Sequence, residues 1–191
     1  MRLLITGFEP FGSDAVNPSW EAVRALPGKI GSHQIYKLQL PVVFGQAAEL
    51  AIAEAERLHA DAVLAVGLAG GRKAVTPEVV GINLRDAGIP DNAGLQPHDD
   101  PIVPDAPAAY FSTLPVRAMK DAILAADIPA ALSYSAGVYV CNDVMYSLLY
   151  HFAGTQVKCG FMHVPYLPDM GTPSMPLEKI TAAIEAAVEI L

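Results

Sequence analysis

The stretch GQAAELAIAEAERLHADAVLAVG, residues 45–67, decides the fold. Its first part, 45–60, is rich in Ala and Glu and amphipathic at helical spacing, which predicts a helix. Its second part, 61–67, is a short apolar run closed by glycine, which predicts a buried strand. A helix feeding directly into such a strand is the repeating unit of a parallel sheet, whose strands read as continuous apolar runs. The alternation extends in both directions. Upstream, RLLIT (2–6) is an apolar run ended by Gly7, residues 18–26 are helical with Asn17 as N-cap and Pro18 in the first helical position, and HQIYKLQL (33–40) alternates up to Pro41. Downstream, 74–84 is extended or a hairpin, and 86–108 is dense in Pro, Gly, Asp and Asn and reads as a long ordered loop. Then come a helix at 115–125, a short strand at 130–134, a helix at 141–152, a strand at 156–164 and a closing amphipathic helix opened by Ser174 and Pro176. The expected fold is α/β: a three-layer α/β/α sandwich with a mostly parallel central sheet, in one domain spanning 1–191.

Composition narrows the function. Hydrophobic residues make up 52% of the chain and charged residues 17%, enough for a large core without disulfides. The net charge of −8 and the lack of any Lys/Arg cluster argue against nucleic acid as a partner. Two cysteines make no disulfide framework and no metal-binding spacing, so no metal is expected. The apolar run near Met1 is too short for a signal peptide or a membrane span, which favours a cytoplasmic protein away from membranes.

In open α/β sheets, sites lie beyond the carboxyl ends of the strands. The loops there are GFEPFGSDAVN (7–17), GLAGGR (67–72), SAGVYVC (135–141) and HVPYLPDM (163–170). Cys141 stands at the mouth of a helix and is either a small core residue or a nucleophile; for the second reading, backbone N–H groups and the macrodipole there favour a thiolate and lower the thiol pKa. Cys159, inside a strand, reads as core. A nucleophilic Cys needs a base. Of His33, His59, His98, His151 and His163, only His163 ends a strand; if 130–134 and 156–163 are parallel neighbours joined by the 141–152 helix, Cys141 and His163 share one edge of the sheet. The orienting acid is Glu78 or Asp91, both after the glycine-rich turn, and periodicity does not choose between them. Phe8 and Phe11 either anchor their loop against the core or form a flat apolar slot for a small ring. GLAGGR lacks the spacing of a phosphate loop.

Taken together, LITGFEPFG, NPSW, GLAGGR, TPE, NL followed by IPDN, QP, CNDVMY and GFMHVPYLP resemble the pyroglutamyl peptidase I family, nearly end to end and in order. The resemblance implies a cysteine peptidase that removes N-terminal pyroglutamate from peptides, uses no cofactor and assembles as a homotetramer. It places the nucleophile on Cys141, the general base on His163 and the triad acid on Glu78. Phe8 and Phe11 become the aromatic walls around the lactam ring. Asn17, Leu68 and Val140 become further substrate contacts, and Asp91 becomes a supporting residue. Three positions depart from the family's usual pattern: Val79 where a basic residue follows the glutamate, Leu68 where Gln is common, and Gly88 where Arg precedes IPDN. That Arg is implied to serve the oxyanion region, and Arg85 is the candidate substitute. Two rival readings remain: a cysteine hydrolase of altered N-terminal specificity, and a non-catalytic module that binds small rings.

Overall fold

The computed structural model describes residues 1–12 and 14–191. The apolar run after Met1 forms β1 (Arg2–Phe8), with every residue after Arg2 buried. There follow α1 (Pro18–Ala25), β2 (Lys29–Ile30), β3 (His33–Leu40), α2 (Gln46–Leu58), β4 (Ala62–Leu68), β5 (Thr76–Pro77), β6 (Val80–Ile82), β7 (Ala109–Phe111), α3 (Val116–Ala125), α4 (Val140–His151), β8 (Lys158–Val164) and α5 (Leu177–Glu189). The main sheet has the order β2-β3-β1-β4-β8-β5. Strands β3, β1, β4 and β8 are parallel, while β2 and β5 are antiparallel additions at the edges. The fold is therefore α/β with a mostly parallel central sheet, as the alternating pattern predicts.

Side-chain alternation along the strands creates the layers. Leu3, Ile5, Leu64, Val66, Met162 and Val164 face α1, α3 and α5, whose Val23, Met119 and Ile184 complete one core. Leu4, Phe8, Val63, Ala65, Cys159 and Phe161 face α2 and α4, whose Ala51 and Val144 complete the other. Cys159 is a core residue of this second layer, as its mid-strand position predicts. By the same period of two, His163 follows Cys159 and Phe161 onto the α4 face. That parity delivers it to the helix carrying Cys141. At α1, Asn17 caps the helix as expected: its side chain accepts from the Ser19 N–H at 3.1 Å.

One expected neighbour relation is wrong. Residues 130–134 do not pair with 156–163; β5 lies between, and Ala130 and Ser133 make only isolated parallel bridges to Val75 and Glu78. Because β5 takes the place beside β8, 130–134 meets residues 75–79 instead, and a proline keeps that contact from becoming a continuous ladder. The Val75 N–H donates to Pro129 O, Ala131 N–H to Val75 O, Ser133 N–H to Pro77 O and Val79 N–H to Ser133 O. Pro77 has no N–H to donate between them, so the ladder is interrupted. The ambiguous 74–84 region splits in two: β5 joins the main sheet, and β6 pairs with β7 in a separate two-stranded sheet. The connection from β6 to β7 runs over residues 83–108 and contains the expected long loop 86–108. Among the described residues no helix is long and apolar enough to cross a membrane.

Candidate active site

The carboxyl ends of β1, β4 and β8 meet the N-terminus of α4 around a cavity of about 300 Å³. Its wall includes Phe8 and Phe11 from the end of β1 and the loop beyond, Leu68, Ala69 and Arg72 from the turn after β4, His163 from β8, and residues 135–137 and 139–141 from the entrance to α4. Cys141 is the second residue of α4. Its sulfur fits there because the neighbouring strand carries Gly67: a Cβ on that residue would stand 2.9 Å from Cys141 Sγ and 2.7 Å from the Phe161 ring.

Glu78 is fully buried. Its backbone N–H donates to Phe161 O at 2.9 Å, fixing it beside β8. Its Oε1 lies 2.7 Å from His163 Nδ1 and 2.7 Å from Arg72 Nη1. An ionised carboxylate only accepts, so Nδ1 carries the imidazole proton and Nε2 keeps its lone pair. The other carboxylate oxygen has no hydrogen-bond partner among the described residues. The Ser133 hydroxyl stands close enough to help lower the Glu78 carboxyl, but its bond runs to Ser135 O at 3.2 Å.

The ionisation pattern follows from these contacts. Burial pushes the Glu78 carboxyl up, but the hydrogen bond and charge of His163, with the Arg72 charge, pull it below its ordinary value. Burial pushes the His163 imidazole down and the Arg72 charge adds to this, outweighing the pull of Glu78. Burial, with the negative Glu78, pushes the Cys141 thiol up to about 12, against the opposing influence of Arg72 and of the Cys141 backbone N–H. This corrects the expectation drawn from the helix entrance. Cys141 as a residue is half-buried at the cavity wall, but its sulfur is packed beneath Gly67, and desolvation there outweighs the helix terminus. Both shifts favour the uncharged forms of Cys141 and His163 in the free enzyme.

The residues flanking Cys141 hold the helix start in place. Asn142 accepts from the Ile82 N–H at 3.0 Å and donates to the carbonyls of Ile82 and Leu84. Asp143 accepts from Arg85 Nε at 2.6 Å and from the Gly45 N–H at 2.8 Å. No side chain caps α4 at Tyr139, which leaves its first N–H groups facing the cavity end of the helix.

The structure thus brings Cys141, His163, Phe8, Phe11, Asn17, Leu68 and Val140 to one cavity, with Glu78 directly behind His163. Asn17 also donates to Glu9 O at 3.0 Å, so it anchors the aromatic loop as well as capping α1. Asp91 stands apart from the wall: its carboxylate accepts from the N–H groups of Phe44, Ala93 and Leu95, ordering its own loop. Arg85 does not replace the missing arginine, because Asp143 holds it outside the cavity. Gly88 is exposed, and a Cβ there would meet nothing within 4 Å. Sequence reasoning missed Tyr139, whose ring packs edge-on against Phe44 while its hydroxyl donates to Pro90 O at 2.9 Å. It also missed Arg72. Both sit inside motifs noticed for other reasons, SAGVYVC and GLAGGR.

The family model of pyroglutamyl peptidase matches residues 1–191. The chain belongs to the pyroglutamyl peptidase family. It is 48% identical over 198 residues to the pyrrolidone-carboxylate peptidase of Staphylococcus saprophyticus, covering 100% of this chain and 93% of the relative. It is 49% identical over 196 residues to that of an Enterobacter species, covering 99% and 92%. The crystal structure of Bacillus amyloliquefaciens pyroglutamyl peptidase I superimposes with a TM-score of 0.96 at 40% identity, covering 98% of this chain and 95% of that one. A mutant pyrrolidone carboxyl peptidase from Pyrococcus furiosus gives 0.95 at 44% identity, covering 100% and 97%. The enzyme is accordingly a cysteine peptidase of the family that removes N-terminal pyroglutamate.

Proposed function

We propose that this chain hydrolyses the amide bond after an N-terminal pyroglutamyl residue with Cys141 as nucleophile, His163 as base and acid, and Glu78 as the group that orients and balances the imidazole. The observation that carries the assignment is the 2.7 Å contact between Glu78 Oε1 and His163 Nδ1, directly behind a cavity lined by both His163 and Cys141.

The neutral pair sets the order of events. As Cys141 Sγ attacks the scissile carbonyl, its proton passes to His163 Nε2, and the imidazolium forms against the Glu78 carboxylate. The oxyanion is met by the uncapped N–H groups at the start of α4, with donors of this kind worth about 3 kcal/mol each in comparable sites. Collapse breaks the C–N bond, and the leaving amine takes the proton from Nε2. Water then gives a proton to Nε2 as it attacks the thioester. Release of pyroglutamate returns that proton to sulfur.

A pyroglutamyl group has no ammonium and no carboxylate of its own. A compact cavity walled by Phe8, Phe11, Leu68 and Val140, with Asn17 and backbone groups for the lactam, suits such a ring. The same resemblance supports a cytoplasmic homotetramer, built from one catalytic domain and needing no cofactor. The test is fluorophore release from a pyroglutamyl amide by the wild-type enzyme and by Cys141→Ser. A wild-type enzyme inert on this amide, or a serine variant with wild-type turnover, would falsify the assignment.

A further inference from the structure

We propose that Arg72 is a positioning residue of this active site: its guanidinium, tethered to Thr76 and to the Ser135 carbonyl, pins the Glu78 carboxylate against His163 and adds its charge to the contacts that keep this acid ionised. The inference rests on the Cys141–His163–Glu78 reading above.

Glu78 is completely buried, and one of its oxygens lacks any hydrogen-bond partner among the described residues. Its other oxygen therefore receives both of its donors, His163 Nδ1 and Arg72 Nη1, each at 2.7 Å. A carboxylate so desolvated favours its neutral form unless a cation lies against it. His163 is such a cation only once it is protonated; as the free base it gives Glu78 a hydrogen bond and no charge. Arg72 is the only Lys or Arg lining the cavity among the described residues.

The guanidinium is held as well as placed. Nη1 also bonds the Thr76 hydroxyl, and Nη2 donates to Ser135 O at 3.2 Å. One side chain thus joins three segments: the turn after β4, the β5 edge that carries Glu78, and the loop leading to α4. A planar fork makes these contacts at fixed angles; an ammonium on a flexible stem does not. The titratable groups facing Glu78 are His163 from β8, Arg72 from the turn after β4 and Cys141 from α4. Among these, the Arg72 charge opposes an imidazolium at His163 and favours a thiolate at Cys141. Removing it raises the proton affinity of the coupled Glu78–His163 pair, whichever of the two takes the proton, so the base is withdrawn up to a higher pH.

The experiment compares pH profiles of kcat and kcat/KM on a fluorogenic pyroglutamyl amide for wild type, Arg72→Met, Arg72→Lys and Cys141→Ser, with thermal unfolding of each. Arg72→Met is expected to lower kcat about 100-fold with little change in KM, and to move the acidic limb of kcat/KM up by about one pH unit. Arg72→Lys keeps the charge, so its limb stays in place while kcat falls about tenfold for want of the fork. A folded Arg72→Met enzyme with the wild-type limb or wild-type kcat overturns the inference. If Arg72→Met does not fold, Arg72→Lys decides: an unmoved limb with reduced kcat supports it, and wild-type kcat or a shifted limb overturns it. An inert wild type or an active Cys141→Ser removes the triad reading and this inference with it. Active wild type, inert Cys141→Ser and wild-type behaviour in the Arg72 variants removes the inference alone.

Discussion

Replacing Glu78 by Gln keeps the shape of the side chain and removes its charge, which isolates what the charge does. In the native site the Oε1 atom accepts from His163 and Arg72, both at 2.7 Å. An amide has two ways to sit there. With its oxygen in that position both bonds survive as weaker, neutral-acceptor bonds, and the NH₂ takes the place of the oxygen that has no hydrogen-bond partner among the described residues. With its nitrogen there, it donates to Nδ1, drives the imidazole proton to Nε2 and turns the base away from the thiol. In either case the imidazolium formed during attack loses its counter-charge. For charge centres about 4 Å apart at an effective dielectric of about 20, that counter-charge is worth about 4 kcal/mol, or roughly three powers of ten in rate. Glu78→Gln is thus expected to lower kcat about 10³-fold on a fluorogenic pyroglutamyl amide. Stability falls too, because Arg72 loses its charged partner; partial exposure of Arg72 reduces that loss to about 2 kcal/mol, or roughly 4–8 °C in Tm. The pH dependence has a definite sign. The folded-state value of the Glu78 carboxyl lies below its ordinary 4.5, so its contribution is present above pH 4.5 and is lost as pH falls through the lowered value. The Tm gap between wild type and variant should therefore close on acidification. A folded variant within tenfold of wild-type kcat refutes the reasoning, as does a Tm gap that persists at the acidic end.

Two further perturbations probe the thiol. Gly67→Ala places a methyl 2.7 Å from the Phe161 ring and 2.9 Å from Cys141 Sγ, and Phe161 is fully buried, so the sulfur must move. We expect a loss of about 1–3 kcal/mol in chemical denaturation and a drop in kcat of tenfold or more, with wild-type kcat as the contrary result. With the Cys141 thiol pushed up to about 12, its alkylation by iodoacetamide in the free enzyme should rise steadily with pH, by about tenfold per unit from 7 to 10. A rate that levels off near neutral pH would show a preformed thiolate and refute the neutral-pair mechanism.

Much of the architecture was legible because each signal was local. The Ala/Glu periodicity of 46–58, the unbroken apolar run at 62–67 and the Asn17-Pro18 helix start are properties of contiguous residues, and each became the predicted element. The strand at 130–134 was misread because its neighbour is set elsewhere in the chain: β5 takes the place beside β8, and Pro77 then interrupts the contact between β5 and 130–134. The choice between Glu78 and Asp91 was closed to periodicity for the same reason. Glu78 is singled out by lying beside β8 with its carboxylate on His163, whereas Asp91 folds back onto the N–H groups of its own turn.

The sequence by itself determined the alternation of helices and strands, the loops where chemistry collects and, through its motifs, the cysteine, histidine and acid that occupy them. Tertiary structure decided how those groups are charged. The sulfur at the mouth of α4 is packed beneath Gly67, and burial on that side pushes the thiol up despite the helix terminus. Arg85, close to IPDN in the chain, is turned away by Asp143, while Arg72 in a glycine-rich turn lies against the buried acid. A residue's charge state depends on which groups surround it in space, and in this fold those neighbours come from segments far apart along the chain.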